Sequence, residues 1–92
     1  RAHNDTWLPW LASELTALEL PTVPSAGNFL IADFGSAARA GAAFAFLKGS
    51  GILVRAVGGY GLPQYLRIAL GREDENKAVV AALKAFVATT AS

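Results

Sequence analysis

The sequence predicts an α/β (α+β) two-layer sandwich, a small mixed sheet of three to four strands with helices on one face, in the order α-β-β-α-β-β-α. Apolar residues recur at helical spacing in separate stretches: Leu8, Leu11, Leu15 and Leu18; Phe44 and Leu47 with Phe46 nearby; and Val79, Val80, Leu83, Phe86 and Val87. Short apolar or β-branched runs lie between them, at Asn28–Asp33, Ile52–Arg55 and Tyr65–Leu70. Glycine and proline clusters punctuate the transitions, as turns require.

Taken in order, Thr6 to Leu20 reads as the first helix, with Trp7 and Trp10 widening its apolar stripe. Asp5 and Thr6 are good N-caps, so we read the helix as starting there, with Pro9 tolerated in its first turn. A longer helix kinked at Pro9 is the other solution. Pro21 and Pro24 end the helix and extend the backbone at Thr22 and Val23. After the turn at Ser25-Ala26-Gly27 comes the strand Asn28–Asp33. Ser36 caps an alanine-rich helix running to about Lys48, which Gly49-Ser50-Gly51 stops. Ile52–Arg55 is a short strand, Gly58–Pro63 a loop, and Tyr65–Leu70 a strand that Gly71 breaks. Glu73, Asp74 and Glu75 put negative charge on the first turn of the last helix, where the macrodipole favours it. Strands joined across a helix should be parallel neighbours or flank an inserted strand.

Composition narrows the function classes. A chain of 92 residues, 53% hydrophobic, holds one modest core and buries about 60–65% of its unfolded surface. That is too little to wall in a cofactor on every side. Eight Lys and Arg against seven Asp and Glu leave a net charge of +1, which lacks the basic footprint of a nucleic-acid binder. Charged residues interrupt every apolar run before a membrane helix of about 18–20 residues could form. Without cysteine there is neither a disulfide framework nor a thiolate metal site. No signal-peptide pattern is present, so a cytoplasmic location is expected. The chain opens Arg1-Ala2-His3 and contains no methionine, as expected of a piece of a longer protein.

Chemistry concentrates on one strand. In Tyr65–Leu70 the alternation turns Leu66, Ile68 and Leu70 toward the helices and Tyr65, Arg67 and Ala69 to the other side. Arg55 closes the preceding strand with Leu53 on its own face. If the two strands are neighbours in suitable register, Arg55 and Arg67 converge on the open face beside the loop at Tyr60. Two planar guanidinium forks and a phenol would receive phosphate or carboxylate. An arginine on an uncovered sheet face is usually just solvated, and from the residues alone that is the stronger reading. His3 has no second ligand or nucleophile near it and reads as solvated or facing a partner. Ser25, Ser36 and Ser50 sit at turns with no base to activate them. Lys48, Lys77 and Lys84 fall at exposed helix positions, and Gly58-Gly59-Tyr60-Gly61 lacks the spacing of a phosphate-binding fingerprint. No catalytic residue and no metal ligand is assigned.

A string of motifs carries a resemblance: Pro24-Ser25-Ala26-Gly27-Asn28-Phe29-Leu30, Gly51-Ile52-Leu53-Val54-Arg55, Tyr60-Gly61-Leu62-Pro63-Gln64-Tyr65-Leu66-Arg67-Ile68, and Gly71 followed by Glu75-Asn76. In order and over almost the whole chain, it resembles the C-terminal small domain of the histidinol-phosphate aminotransferases, a branch of the fold-type I, pyridoxal-phosphate-dependent transaminases. The family often has alanine where this chain has Gly27. The resemblance implies that residues 1–92 form one small domain, inactive alone, whose partner is a large cofactor-binding domain of the same parent chain. That parent would be a homodimer transferring an amino group between glutamate and imidazole-acetol phosphate, in histidine biosynthesis. It implies that Arg67 binds the substrate's anionic group, that Arg55 helps hold the phosphate end, and that Tyr60 contacts the substrate from the adjoining loop. Pyridoxal 5'-phosphate would be held by the large domain, with no part of it bound by this chain alone. An aromatic-amino-acid transaminase or a phosphoamino-acid decarboxylase would use the same anchor, and a stand-alone anion-binding or regulatory module is the reading from another class.

Overall fold

A computed structural model describes residues 2–24, 27–57 and 61–90. Its elements are α1 (Ala2–Ala17), β1 (Thr22–Pro24), β2 (Phe29–Asp33), α2 (Ala37–Gly49), β3 (Arg55–Ala56), β4 (Tyr65–Ala69) and α3 (Glu73–Thr90). The expected order of helices and strands is realised. The strands form one sheet in the order β1-β2-β4-β3, and every neighbouring pair is antiparallel. β2 and β3, joined across α2, therefore run parallel to each other with β4 inserted between them. The sheet is therefore antiparallel throughout and not mixed, because the inserted β4 keeps the two parallel strands from bonding to each other.

Alternation along the central strands sets the two layers. Leu30 and Ala32 of β2 and Leu66 and Ile68 of β4 are buried, and they meet the buried faces of the helices. From α1 come Leu11 and Leu15, from α2 Ala40, Ala43 and Leu47, and from α3 Val79, Val80, Leu83 and Phe86. α3 packs against both other helices. Small alanines on α2 bring that helix close to β4, while Phe34, directly after β2, fills the space beneath Phe86 with its ring edge-on at 6.3 Å.

The first helix departs from the sequence reading. It begins at Ala2, so Pro9 lies within it and not in its first turn. A proline there removes one hydrogen bond of the ladder, and tertiary contacts offset that loss. His3, expected to be solvated or facing a partner, places Nε2 2.8 Å from the Gly71 carbonyl, to which it donates. Trp7 stacks edge-on against Trp10 at 5.1 Å and receives the Lys77 ammonium over its face at 5.9 Å. Contacts with α3 and the sheet, through the buried Leu11 and Leu15, support the helix beyond its local propensity.

The helix also stops before the prolines. Leu20 N–H bonds the Leu15 carbonyl and Glu19 N–H the Thr16 carbonyl, the paired bonds of a Schellman end. Glu19 adopts φ 62°, the left-handed conformation usually given to glycine, and buried Leu20 closes the motif against buried Leu15. The strand read over Ile52–Arg55 is shorter and later: only Arg55 and Ala56 pair with β4, and Leu53 is 81% exposed.

The cap of α2 follows the sequence. Ser36 accepts from Arg39 N–H at 3.1 Å. At α3, Glu75 reaches back to Arg72 N–H at 2.8 Å, one half of a capping box. Gly71 approaches so closely that an added Cβ would lie 2.6 Å from Glu75 Oε1 and 3.2 Å from Glu75 Cβ. Asn76, only 2% exposed, clamps the same glycine from both sides, accepting from its N–H at 2.8 Å and donating to its carbonyl at 3.1 Å. With His3 on the same carbonyl, this corner ties α1, β4 and α3 together. Asn76→Ala should lower the stability of the chain by about 1–3 kcal/mol, because the part-buried Gly71 N–H loses its partner. A urea midpoint unchanged from that of the parent sequence would show that the clamp contributes nothing.

Candidate functional site

The sheet face turned away from the helices carries the candidate site. β4 is bonded on both sides, to β2 and to β3, and Arg67 stands at its centre. Register sets its neighbours: Arg67 lies opposite Ile31 of β2 and opposite Arg55 of β3, while Ile31 in turn faces Val23 of β1. One row across the sheet thus reads Val23, Ile31, Arg67, Arg55. The convergence expected of the two arginines holds at the level of backbone register.

Their head groups are arranged less simply. The Arg67 guanidinium sits over the Phe29 ring, 4.8 Å from its centroid, on the β2 side of β4 and away from β3. Phe29 is opposite Ala69, two residues beyond Arg67 on the same face, so the contact is the diagonal one that aromatic and long side chains can span. Arg55 is exposed, and it shares with Arg67, Phe44 and Val57 the lining of an open depression of about 370 Å³.

Like charges directly opposite on neighbouring strands repel. Among the described residues, neither Arg55 nor Arg67 has a carboxylate within ion-pair distance. The acidic residue on their face, Asp33, has its Oδ1 engaged by Gly35 N–H at 2.8 Å and by Gln64 Nε2 at 3.1 Å. These bonds, with Phe34 N–H on the Gln64 carbonyl at 2.9 Å, fix the turn that leads into β4. The face is also partly apolar, with Val23 48% exposed and Leu53 standing free at its rim. Uncompensated positive charge beside apolar surface can hold an anionic ligand with an apolar body.

Tyr60, the third residue assigned to the site, lies outside the described residues, as does Ser25. The lysines do not fit a pyridoxal phosphate: Lys77 is ion-paired to Glu73 at 2.8 Å, Lys84 lies 3.7 Å from Glu14, and Lys48 is exposed on α2. None is a desolvated amine. Among the described residues no three His, Cys, Asp or Glu side chains are grouped to hold a metal ion. No described helix is long and apolar enough to cross a membrane. Two features escaped the sequence reading, the Phe29 ring beneath Arg67 and the His3–Gly71–Asn76 corner. The spacing from Gly71 to Glu75-Asn76 was a usable signal for the corner, whereas the Phe29 contact depends on the β2–β4 register.

No family model matches the chain. Histidinol-phosphate aminotransferase from Paramagnetospirillum magneticum is 54% identical over 89 residues, which span 95% of this chain and 24% of that protein. The crystal structure of histidinol-phosphate aminotransferase from Sinorhizobium meliloti in complex with pyridoxal-5'-phosphate superposes with a TM-score of 0.87 at 25% identity, over 97% of this chain and 25% of that one. L-threonine-O-3-phosphate decarboxylase from Porphyromonas gingivalis gives a TM-score of 0.67 at 25% identity, over 91% and 28%. The chain thus spans about a quarter of the length of the curated relatives it matches. By sequence and by fold it is a relative of the histidinol-phosphate aminotransferases, matching one segment of them.

Proposed function

We propose that this chain is the C-terminal small domain of a cytoplasmic histidinol-phosphate aminotransferase, whose Arg67 and Arg55 bind the anionic groups of the substrate. The observation that carries the reading is the pair itself: two arginines set opposite each other in backbone register on an open sheet face, with no carboxylate to neutralise them among the described residues. Such a pair is relieved by an anion, and arginine offers two parallel donors that match phosphate or carboxylate. The other three quarters of the relatives' length would supply the large domain of the parent chain, the lysine and pocket for pyridoxal phosphate, and the main homodimer contact. That cofactor, when bound there, withdraws electrons from the substrate's amino-bearing carbon. The part of this chain is to hold the anion in place and, with Tyr60, to line the substrate side of the cleft. Without the large domain it is inactive.

The threonine-phosphate decarboxylase likeness keeps a phosphoamino-acid decarboxylase as the second reading, at a lower structural similarity. Full-length enzyme supplied with pyridoxal phosphate should transfer the amino group of histidinol phosphate to 2-oxoglutarate far faster than that of phenylalanine, and should release no carbon dioxide from phosphothreonine. Preference for phenylalanine, or decarboxylation, would replace the histidinol-phosphate reading with the corresponding relative.

A further inference from the structure

We infer that Phe29 is a positioning residue for Arg67, its ring serving as the platform that aims the guanidinium fork at the anion. The inference rests on Arg67 being the substrate anchor, as proposed above. An arginine side chain on an open sheet face has many rotamers, and each hydrogen bond it makes to a ligand requires those rotamers to be frozen. A ring under the guanidinium plane removes that freedom beforehand without using any of its N–H donors, because the attraction is to the π face. The fork therefore stays available while its position is fixed.

Local structure is arranged around that ring. Phe29 opens β2 and is only half-buried, so core packing does not demand an aromatic residue there. Its cross-strand partner is Ala69, whose small side chain leaves the β4 surface clear for the ring to lie toward Arg67. On the other side the backbone at Gly27 runs at φ +116°, and a Cβ placed there would touch ring atoms Cε2 and Cδ2 at 3.7 and 3.9 Å. Those are ordinary contact distances, so it is the positive φ, and not the space beside the ring, that favours glycine here. The platform also draws the Arg67 head toward β2, away from Arg55 on β3, which separates two like charges that the register sets opposite.

The test is a double-mutant cycle on the full-length enzyme loaded with pyridoxal phosphate, combining Phe29→Leu and Arg67→Ala, with Phe29→Tyr as the variant that keeps the ring. Dissociation constants for histidinol phosphate are measured by calorimetry alongside kcat and KM. Phe29→Leu should weaken binding and raise KM about two- to fivefold, the range of a partly exposed cation–π contact, with kcat and the cofactor absorbance unchanged. Phe29→Tyr should restore the parent values, and Phe29→Leu should have no further effect once Arg67 is alanine. If Arg67→Ala leaves substrate binding intact, the substrate-anchor reading fails and this inference falls with it. If Arg67→Ala weakens binding but Phe29→Leu does not, or does so equally in both backgrounds, the platform alone is overturned. A Phe29→Leu enzyme with lowered kcat and altered cofactor absorbance would point to a general structural role and also overturn it.

Discussion

Arg67→Ala in the full-length enzyme should lower kcat/KM for histidinol phosphate by about 10- to 100-fold, the effect of removing a charge-assisted, two-pronged hydrogen bond from a ligand anion. The loss should fall mainly on KM, since the anchor grips the substrate equally before and during reaction. Bound cofactor should keep its absorbance if, as proposed, its pocket lies in the large domain. Arg67→Lys should recover part of the loss: it keeps the charge but presents a point donor where the arginine presents a fork. Arg55→Ala should have a smaller effect, since Arg55 is exposed and rests on a strand of two residues. A kcat/KM for Arg67→Ala within twofold of the parent value would remove the arginine from the substrate site.

The second large effect concerns the fold. Phe34→Ala should destabilise the chain by about 3–5 kcal/mol, the usual cost of emptying an aromatic site in a core. Phe34 is 1% exposed and stacks edge-on with Phe86 between the sheet and α3. Small domains have total stabilities of only about 5–15 kcal/mol, so the substitution would remove a large part of the total. Urea unfolding followed through Trp7 and Trp10 reads the change directly, and Phe34→Leu should recover more than half of it. A shift under about 1 kcal/mol would mean that neighbouring side chains collapse into the space.

Phe34 also marks a limit of sequence reading. It falls between the strand ending at Asp33 and the turn at Gly35-Ser36, where neither alternation nor helical spacing assigns it an inside. Its burial comes from α3 passing over that end of the sheet, a contact between distant parts of the chain. The same holds for His3, whose partner is the Gly71 carbonyl, and for Pro9, where packing of the tryptophans overrides the local preference that would start the helix at Asp5 or Thr6. By contrast, the inward set Leu66, Ile68 and Leu70 and the stripe of α3 were legible, because each follows one period along one element. So was the Ser36 cap. The arginine site was half legible. Alternation along β4 placed Arg67 on the open face, but only register shows Arg55 opposite it and Phe29 beneath it. Register depends on turn geometry and on which hydrophobic face is buried, and single-strand patterns do not contain it.

The order β1-β2-β4-β3 has a consequence for how the protein is made. The strand at the centre of the arginine face is the last of the four to leave the ribosome, yet both of its neighbours, β2 and β3, precede it. Until Tyr65–Ala69 has been synthesised, β2 and β3 each present an open backbone edge, and Leu30 and Ala32 have no sheet to complete. Before then β3 has no strand to pair with, since its register is to β4 alone, although α2 can already form. Insertion of β4 completes the four-stranded sheet and creates the candidate anion face in a single event, and α3, made last, then closes the core over the other face.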